Sequence, residues 1–249
     1  MIHIRGLLKS FGRRPVLQGV DLDVGTGETL VVIGGSGCGK STLLKCVVGL
    51  IPSDGGTIIV DDRDLRSVHD EAERSEWRGK FGYLFQEGAL FDSMSVWENV
   101  AFGLKYMTNV PHSRYRRIAS EKLALVGLKD VEDLKPAQLS GGMKKRVALA
   151  RAIAASPRYI LYDEPTTGLD PIMSDVINNL VLDLQKKLGV TSIAVTHDMK
   201  SAFKIATRIA MLHEGRVLAA GSPEEIRESR DPVVRQFIEG RSTGPIGAV

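Results

Sequence analysis

The chain has 249 residues, 43% hydrophobic and 25% charged, which is enough for one large α/β domain or two small ones. Its 33 Lys and Arg residues nearly balance its 30 Asp and Glu residues, and a net charge of +3 is too small to indicate a nucleic-acid partner. No apolar run approaches the roughly 18 residues that span a bilayer, and the start lacks the apolar stretch of a secretory signal. We therefore expect a globular protein that stays in the cytoplasm.

Short apolar runs bounded by turn residues predict strands along much of the chain. The first run, Glu28–Ile33, ends in glycines, and an amphipathic stretch from Lys40 to Leu50 follows it, so this region is predicted as strand, loop and helix. The other predicted strands are Thr57–Val60, Phe81–Phe85, Tyr159–Asp163, Thr191–Thr196, Arg208–Leu212 and Val217–Ala220.

The pattern between Phe85 and Tyr159 is helical instead and indicates an insertion. The predicted helices are about Ser95–Met107, His112–Val126 and Gly141–Ala154. The flanking alternation of strands and helices predicts a mostly parallel sheet with ligand-binding loops at the carboxyl ends of its strands. The tail at 240–249 is rich in glycine and small residues, so we expect it outside the core.

The cysteines of the chain, Cys38 and Cys46, are not predicted to form a disulfide. Eight positions along a helix correspond to roughly 11–12 Å. A disulfide needs Cα atoms within about 7 Å of each other. We expect two reduced thiols packed around a helix.

A glycine-rich segment lies between the first predicted strand and helix, and it reads Gly34, Gly35, Ser36, Gly37, Cys38, Gly39, Lys40, Ser41 and Thr42. Its glycines let backbone N–H groups turn inward around phosphate oxygens, and the following helix presents its positive end. In this pattern the lysine reaches the β and γ phosphates of ATP, and the first hydroxyl ligates Mg²⁺. A merely tight turn would explain the glycines but not Lys40 and Ser41. We therefore predict a phosphate loop.

Two carboxylates end the predicted strand Tyr159–Asp163. Asp163 is expected in the Mg²⁺ shell, and Glu164 is placed to polarise water for in-line attack on the γ phosphate. An acidic pair after a strand is by itself usually a solvated strand end. The phosphate loop upstream favours the catalytic interpretation.

A third motif, Leu139-Ser140-Gly141-Gly142-Met143, opens a predicted helix, with Ser140 as its N-cap. Because this motif lies about twenty positions before Asp163, the arrangement resembles the signature of the ATP-binding cassette (ABC) family, and the resemblance covers nearly the whole chain. It implies an α/β P-loop NTPase with a RecA-like core and mostly parallel sheet, an antiparallel β subdomain and an inserted helical subdomain. The implied domain is 1–239, with helical subdomain at about 92–157.

The resemblance assigns further residues. Phe11 matches the aromatic residue that stacks on adenine, and Gln86 matches the glutamine that couples Mg²⁺ and the γ phosphate to the transporter interface. His197 matches the histidine that contacts the γ phosphate and helps to hold Glu164 and water in place. The segment Gly168–Asp170 matches the loop that signals between two sites. The implied cofactors are ATP and Mg²⁺, and the implied Mg²⁺ ligands are Ser41, Gln86 and Asp163.

The family places the signature of one subunit over the phosphate loop of another, which implies a head-to-tail homodimer with two composite sites. Ser140 and the amides of Gly141 and Gly142 then supply positive potential to the transition state only after closure. A monomer is expected to hydrolyse ATP poorly.

Met143 replaces the glutamine that the family usually has, which removes any polar contact of that side chain but not phosphate binding by Ser140 and the glycines. Met143 and three segments, Leu84–Phe91, Val96–Val100 and Asp231–Gly240, make the chain similar to one subfamily. It resembles the ATPase of lipid transporters that work with MCE-domain proteins, the maintenance-of-lipid-asymmetry type. This resemblance implies a membrane permease that docks near Ala89–Phe91, a STAS-domain partner, an MCE-domain partner and a C-terminal extension that acts in the dimer. The expected location is the cytoplasmic face of the inner membrane.

Three alternatives stay open. One is the ATPase of an importer for amino acids or another small solute, since the permease usually contacts the substrate. A cassette ATPase of DNA repair or translation is disfavoured by the single cassette, the lack of sustained heptads and the presence of only two cysteines. A nucleotide-binding module without turnover is disfavoured because Asp163, Glu164 and His197 are all present.

Overall fold

A computed structural model describes residues 1–247, so the last two residues of the predicted tail, Ala248 and Val249, lie outside the described residues. The chain divides into two compact units. The first unit contains residues 1–67 and the chain from residue 193 onwards, and the second contains residues 68–192. The predicted helical subdomain at about 92–157 falls within the range of the second unit.

The first unit carries the segment with the glycine-rich loop. Its elements are β1 (Ile2–Phe11), β2 (Arg14–Val24), β3 (Thr29–Ile33), α1 (Lys40–Val47), β4 (Gly55–Val60), β5 (Arg63–Asp64), most of β8 (Thr191–Thr196), α8 (Met199–Ile205), β9 (Arg208–His213), β10 (Arg216–Gly221), α9 (Pro223–Arg227) and α10 (Pro232–Glu239).

One sheet of the first unit is antiparallel, with the order β2-β1-β4-β5. Ile2 of β1 pairs with Val24 of β2 and with Val60 of β4. The β1–β2 ladder shifts register between Ile4 and Leu7, where Gly6 adopts a φ of 56°. Such bulges interrupt strict alternation of apolar and polar residues, which explains why the sequence pattern does not indicate β1 and β2.

The other strands of the first unit run in the order β10-β9-β3-β8. Leu30 to Ile33 of β3 pair in parallel with Arg208 to Met211 of β9, whereas β9 and β10 are antiparallel. All residues of β3 and β8 are buried, which is typical of central strands in a parallel sheet. The sequence predicts both because each is a short run with an apolar centre between turn residues.

The second unit is mainly helical. Its elements are α2 (Glu71–Gly79), β6 (Phe81–Leu84), α3 (Val96–Ala101), α4 (Leu104–Met107), α5 (Tyr115–Leu125), α6 (Gly141–Ala152), β7 (Tyr159–Asp163) and α7 (Pro171–Leu188). The strands β6 and β7 pair in parallel, with Phe81 opposite Tyr159 and Leu84 opposite Tyr162.

The stretch predicted as helical at about Ser95–Met107 forms two helices, α3 and α4, which divide at Phe102 and Gly103. Glycine in a helix interior costs about 1 kcal/mol relative to alanine, which favours a break at this point. Ser95 starts α3 with a capping box, in which the side chain of Glu98 accepts hydrogen bonds from the N–H and the hydroxyl of Ser95.

No disulfide joins Cys38 and Cys46. Burial raises the pKa of Cys46 to about 11, so this thiol stays protonated at neutral pH. Within residues 1–247, no helix is both long enough and apolar enough to cross a membrane.

Candidate functional site

The glycine-rich loop connects the end of β3 to the start of α1 in the first unit. Gly34 has a φ of 154°, and a Cβ atom at this position would lie 2.2 Å from the carbonyl oxygen of Leu212. Gly39 has a φ of 108° and serves as the N-cap of α1, without a side-chain cap. Glycine has no side chain that could cap the helix, and the N-terminus of a helix is a common binding site for an anion.

Lys40 is the first residue of α1 and is 7% exposed. Its Nζ donates hydrogen bonds to the carbonyl oxygens of Gly34 at 2.8 Å and Gly35 at 3.0 Å. The lysine therefore spans the mouth of the loop, where a phosphate would meet both its charge and the backbone N–H groups. Ser41 and Thr42 follow in the first turn of α1 and are half-buried.

Two other predicted site residues lie in the first unit. His197 follows the last residue of β8, a neighbour of β3 in the sheet, and its side chain is exposed. Phe11 ends β1 and is 53% exposed, with the ammonium of Lys9 5.6 Å from its ring centroid. An aromatic ring with this exposure has a free face on which a base can stack.

The acidic pair ends β7 in the second unit. Asp163 and Glu164 are 4% and 6% exposed, so neither is a solvated strand end. The hydroxyl of Tyr83 donates a 3.0 Å hydrogen bond to Asp163, and the hydroxyl of Thr167 donates one of 3.1 Å to Glu164. Burial and the Asp163 carboxylate raise the pKa of Tyr83, so this phenol remains a donor. The sequence interpretation missed both hydroxyl partners.

Gln86 lies two residues beyond β6, and its side chain is exposed. Leu84 pairs with Tyr162 in the parallel β6–β7 ladder, and Gln86 and Glu164 each lie two positions after these paired residues. The same end of these strands therefore carries both predicted residues. They share one further partner, since Nζ of Lys145 donates hydrogen bonds to the backbone carbonyl oxygens of both.

The signature segment opens α6 in the second unit, as predicted. Ser140 is the N-cap, and its Oγ accepts a hydrogen bond from the backbone N–H of Met143 at 3.3 Å. This contact uses only the backbone of residue 143, so methionine serves as well as glutamine for the cap. Gly142 is buried, and a Cβ atom there would lie 2.3 Å from Cε of Met173, at the start of α7.

The segment Gly168–Asp170 leads into α7. The Asp170 carboxylate accepts hydrogen bonds from the N–H groups of Ile172 at 2.9 Å and Met173 at 3.0 Å. Pro171 is the first residue of α7, the helical position in which proline loses no hydrogen bond. A structural N-cap thus accounts for Asp170 without any ligand.

The ABC transporter family profile matches residues 17–167 of this chain. The chain belongs to the ABC transporter family. The match includes the phosphate loop, Gln86, the signature segment and the acidic pair, and so covers most of the motifs described above.

Curated relatives of this ABC transporter protein extend the similarity beyond those residues. The chain is 42% identical over 246 residues to the probable ribonucleotide transport ATP-binding protein mkl of Mycobacterium leprae, and the alignment covers 99% of this chain and 71% of that one. It is 39% identical over 246 residues to the intermembrane phospholipid transport system ATP-binding protein MlaF of Haemophilus influenzae, with 99% and 93% covered.

Solved ABC cassettes share its fold. The dimeric structure of the ATP-binding cassette MJ0796 in a post-hydrolysis state, bound to ADP and Pi, matches with a TM-score of 0.82 and 32% identity over 90% of this chain and 99% of that one. The predicted P-loop NTPase fold is confirmed. With this fold and family, the chain is an ABC-type ATPase subunit that binds ATP and hydrolyses it to ADP and phosphate. ATPases of this family work as dimers with a membrane permease.

Proposed function

We propose that this chain drives phospholipid transport through a membrane permease by hydrolysing ATP at composite sites of a homodimer. The observation that carries the lipid assignment is the 39% identity to the Haemophilus influenzae phospholipid transport protein, which extends over 93% of that protein. The match also covers 99% of this chain and so includes Asp231–Gly240, one of the segments that resemble lipid-transport ATPases.

The site roles in this proposal combine the chemistry of the side chains with the roles that the family resemblance implies. Lys40 and the N–H groups of the Gly34–Thr42 loop bind the β and γ phosphates, and Phe11 stacks on the adenine ring. Glu164 polarises the attacking water, with His197 at the γ phosphate. The signature residues Ser140, Gly141 and Gly142 complete the site of the partner subunit.

The residues assigned to the metal suit Mg²⁺, which prefers oxygen ligands. Ser41 offers a hydroxyl, Gln86 an amide oxygen and Asp163 a carboxylate. The Asp163 carboxylate is buried and accepts a hydrogen bond from the Tyr83 hydroxyl, and a bound cation would further stabilise its negative charge. When bound, Mg²⁺ supplies charge neutralisation of the β and γ phosphates.

The loop after Gln86 supports the proposed permease contact. Phe91 is 41% exposed and packs against Phe102, with 4.6 Å between ring centroids. The ring centroid of Phe102 in turn lies 5.5 Å from that of Tyr106, which is 59% exposed. Two exposed aromatic rings joined by a half-buried one are typical of a protein interface, so we assign this row to a permease helix. STAS-domain and MCE-domain proteins are the further partners that we propose. We place this subunit itself at the cytoplasmic face of the inner membrane.

The test is to purify the native complex through a tag on this subunit and to identify its proteins and lipids by mass spectrometry. Cells that express the untagged chain are the control for background lipid. A multispanning permease, an MCE-domain protein and enriched phospholipid are the expected result. Recovery of a solute-binding protein, or of bound ribonucleotide, without lipid enrichment would contradict the lipid assignment and favour small-solute import.

A further inference from the structure

Lys145 is a buried cation in the middle of α6 that no motif assigns. It is 6% exposed, whereas its neighbour Lys144 is exposed to solvent. Nζ of Lys145 donates to the carbonyl oxygen of Gln86 and, at 3.3 Å, to the carbonyl oxygen of Glu164. One ammonium group therefore bridges two residues that we assign to the γ phosphate and to the attacking water.

The backbone of Glu164 needs such support. Its φ of 49° is in the left-handed region, which a residue with a side chain rarely adopts. The surroundings hold this conformation through hydrogen bonds at its carbonyl oxygen, from the N–H of Thr167 at 3.3 Å and from Lys145. The direction of the Glu164 side chain depends on that backbone, so loss of the Lys145 contact would let the carboxylate move.

The charge of Lys145 is also matched to its surroundings. Burial lowers its pKa, while the carboxylates of Asp163, Glu164 and Glu87 act in the opposite direction. A buried ammonium is tolerated when acceptors surround it, and here carbonyl oxygens and nearby carboxylates do so. A neutral apolar side chain of similar length would leave these acceptors without their cation.

A second cation of α6 holds the same loop. The guanidinium of Arg151 donates to the carbonyl oxygens of Gly88 at 2.5 Å and Ala89 at 2.7 Å. Ala89, like Glu164, has a positive φ, of 48°. The helix that begins at the signature segment therefore holds the loop after β6 at three carbonyl groups, and Lys145 extends these contacts to Glu164.

We propose that Lys145 is a positioning residue for ATP hydrolysis, which ties the backbones of Gln86 and Glu164 to the helix that begins at Ser140. Any displacement of α6 at its signature end is transmitted through one side chain to both residues. This inference rests on the roles proposed above for Gln86 and Glu164.

The test compares four variants of the full chain in its purified native complex: Lys145→Met, Lys145→Gln, Lys144→Met and Glu164→Gln. We expect Lys145→Met to lower kcat about tenfold to a hundredfold, because small misplacements of catalytic groups have effects of that size. The KM for ATP should stay within about threefold, since the phosphate loop is untouched. Lys145→Gln keeps N–H donors and should restore part of kcat, and Lys144→Met should match the wild type.

The four variants separate the failure of this inference from failure of the proposed site. If Glu164→Gln is inactive while Lys145→Met retains kcat within about twofold, only the inference about Lys145 is wrong. If Glu164→Gln turns over normally, the catalytic assignment itself is wrong. If Lys145→Met does not fold, hydrogen exchange of Lys145→Gln decides the question. Because its side chain is shorter, backbone amides at residues 84–89 should exchange faster than in the wild type, while those of α1 should be unchanged. Unchanged exchange at residues 84–89 would overturn the proposal.

Discussion

The glycine-rich loop Gly34–Thr42 and the loop Gln86–Ala89 each follow a buried strand, but they take their shapes from different sources. The first is held by its own residues, with the N–H of Cys38 bonded to Gly35 and the side chain of Lys40 bonded to Gly34 and Gly35. The second has one local backbone hydrogen bond, from the N–H of Gly88 to Phe85, and is otherwise held by side chains of α6 that lie 59 to 63 positions further along the chain.

This difference explains which parts of the site the sequence alone can predict. A loop that makes its own contacts leaves a local pattern of glycines, Lys40 and Ser41, and that pattern predicts a phosphate loop. The cation that holds Gln86 leaves no such pattern, because Lys145 looks like any lysine of an amphipathic helix. Substitutions in the two loops should therefore differ in what they damage.

The largest effect is expected for Gly34→Ala. The new Cβ atom would lie 2.2 Å from the carbonyl of Leu212, and alanine is strained at a φ of 154°. We expect a loss of about 3 kcal/mol or more in the free energy of unfolding, measured by urea titration. Gly35→Ala is the matched control, because a Cβ atom at that glycine meets nothing within 4 Å. Equal stability of the two variants would show that the loop does not need glycine at position 34.

Lys40→Ala should weaken ATP binding about a hundredfold, because it removes the charge that faces the phosphates. Isothermal titration with ATP measures this change. Lys45→Ala, a substitution of the lysine in the last turn of the same helix, should leave the affinity within about twofold. Wild-type affinity in Lys40→Ala would contradict the phosphate-loop assignment.

Arg151→Met tests the loop that depends on distant contacts. It leaves the carbonyl groups of Gly88 and Ala89 without their donor, and we expect a loss of about 1–3 kcal/mol in stability. ATP affinity should be unaffected, in contrast to Lys40→Ala. The control is Arg117→Met, whose exposed ion pair with Glu121 contributes little. An Arg151→Met protein as stable as its control would show that α6 does not hold this loop.

Ser95→Ala gives the smallest effect of the series, because it removes a single local cap. The hydroxyl of Ser95 and the carboxylate of Glu98 form the capping box of α3, and its loss should cost about 1 kcal/mol in thermal or chemical unfolding. Ser93→Ala serves as the control, since Ser93 is exposed and lies before the cap. A larger loss of stability in Ser95→Ala than in Arg151→Met would contradict the proposed ranking of local and distant contacts.

Much of the fold could be predicted because its central strands are short runs with apolar centres, as in Tyr159–Asp163 and Thr191–Thr196. The strands β1 and β2 of the antiparallel sheet were missed, since bulges such as the one at Gly6 break their alternation. The helix α7 was also not predicted, although Asp170 and Pro171 are start signals and Gly189 is a stop signal. Of the hydroxyl partners of the acidic pair, Tyr83 could not be found because tertiary structure alone brings it to Asp163. Thr167 lies three residues after Glu164, and this local contact was missed.

The most direct test of the catalytic account measures phosphate release and ATP-dependent dimerisation of the Glu164→Gln protein beside the wild type. With Mg²⁺ and ATP present, we predict that the variant binds ATP as tightly as the wild type and sediments as a dimer. It should release phosphate at least about a hundredfold more slowly than the wild type. Phosphate release at the wild-type rate by Glu164→Gln would contradict the assignment of Glu164 and the hydrolysis mechanism built on it.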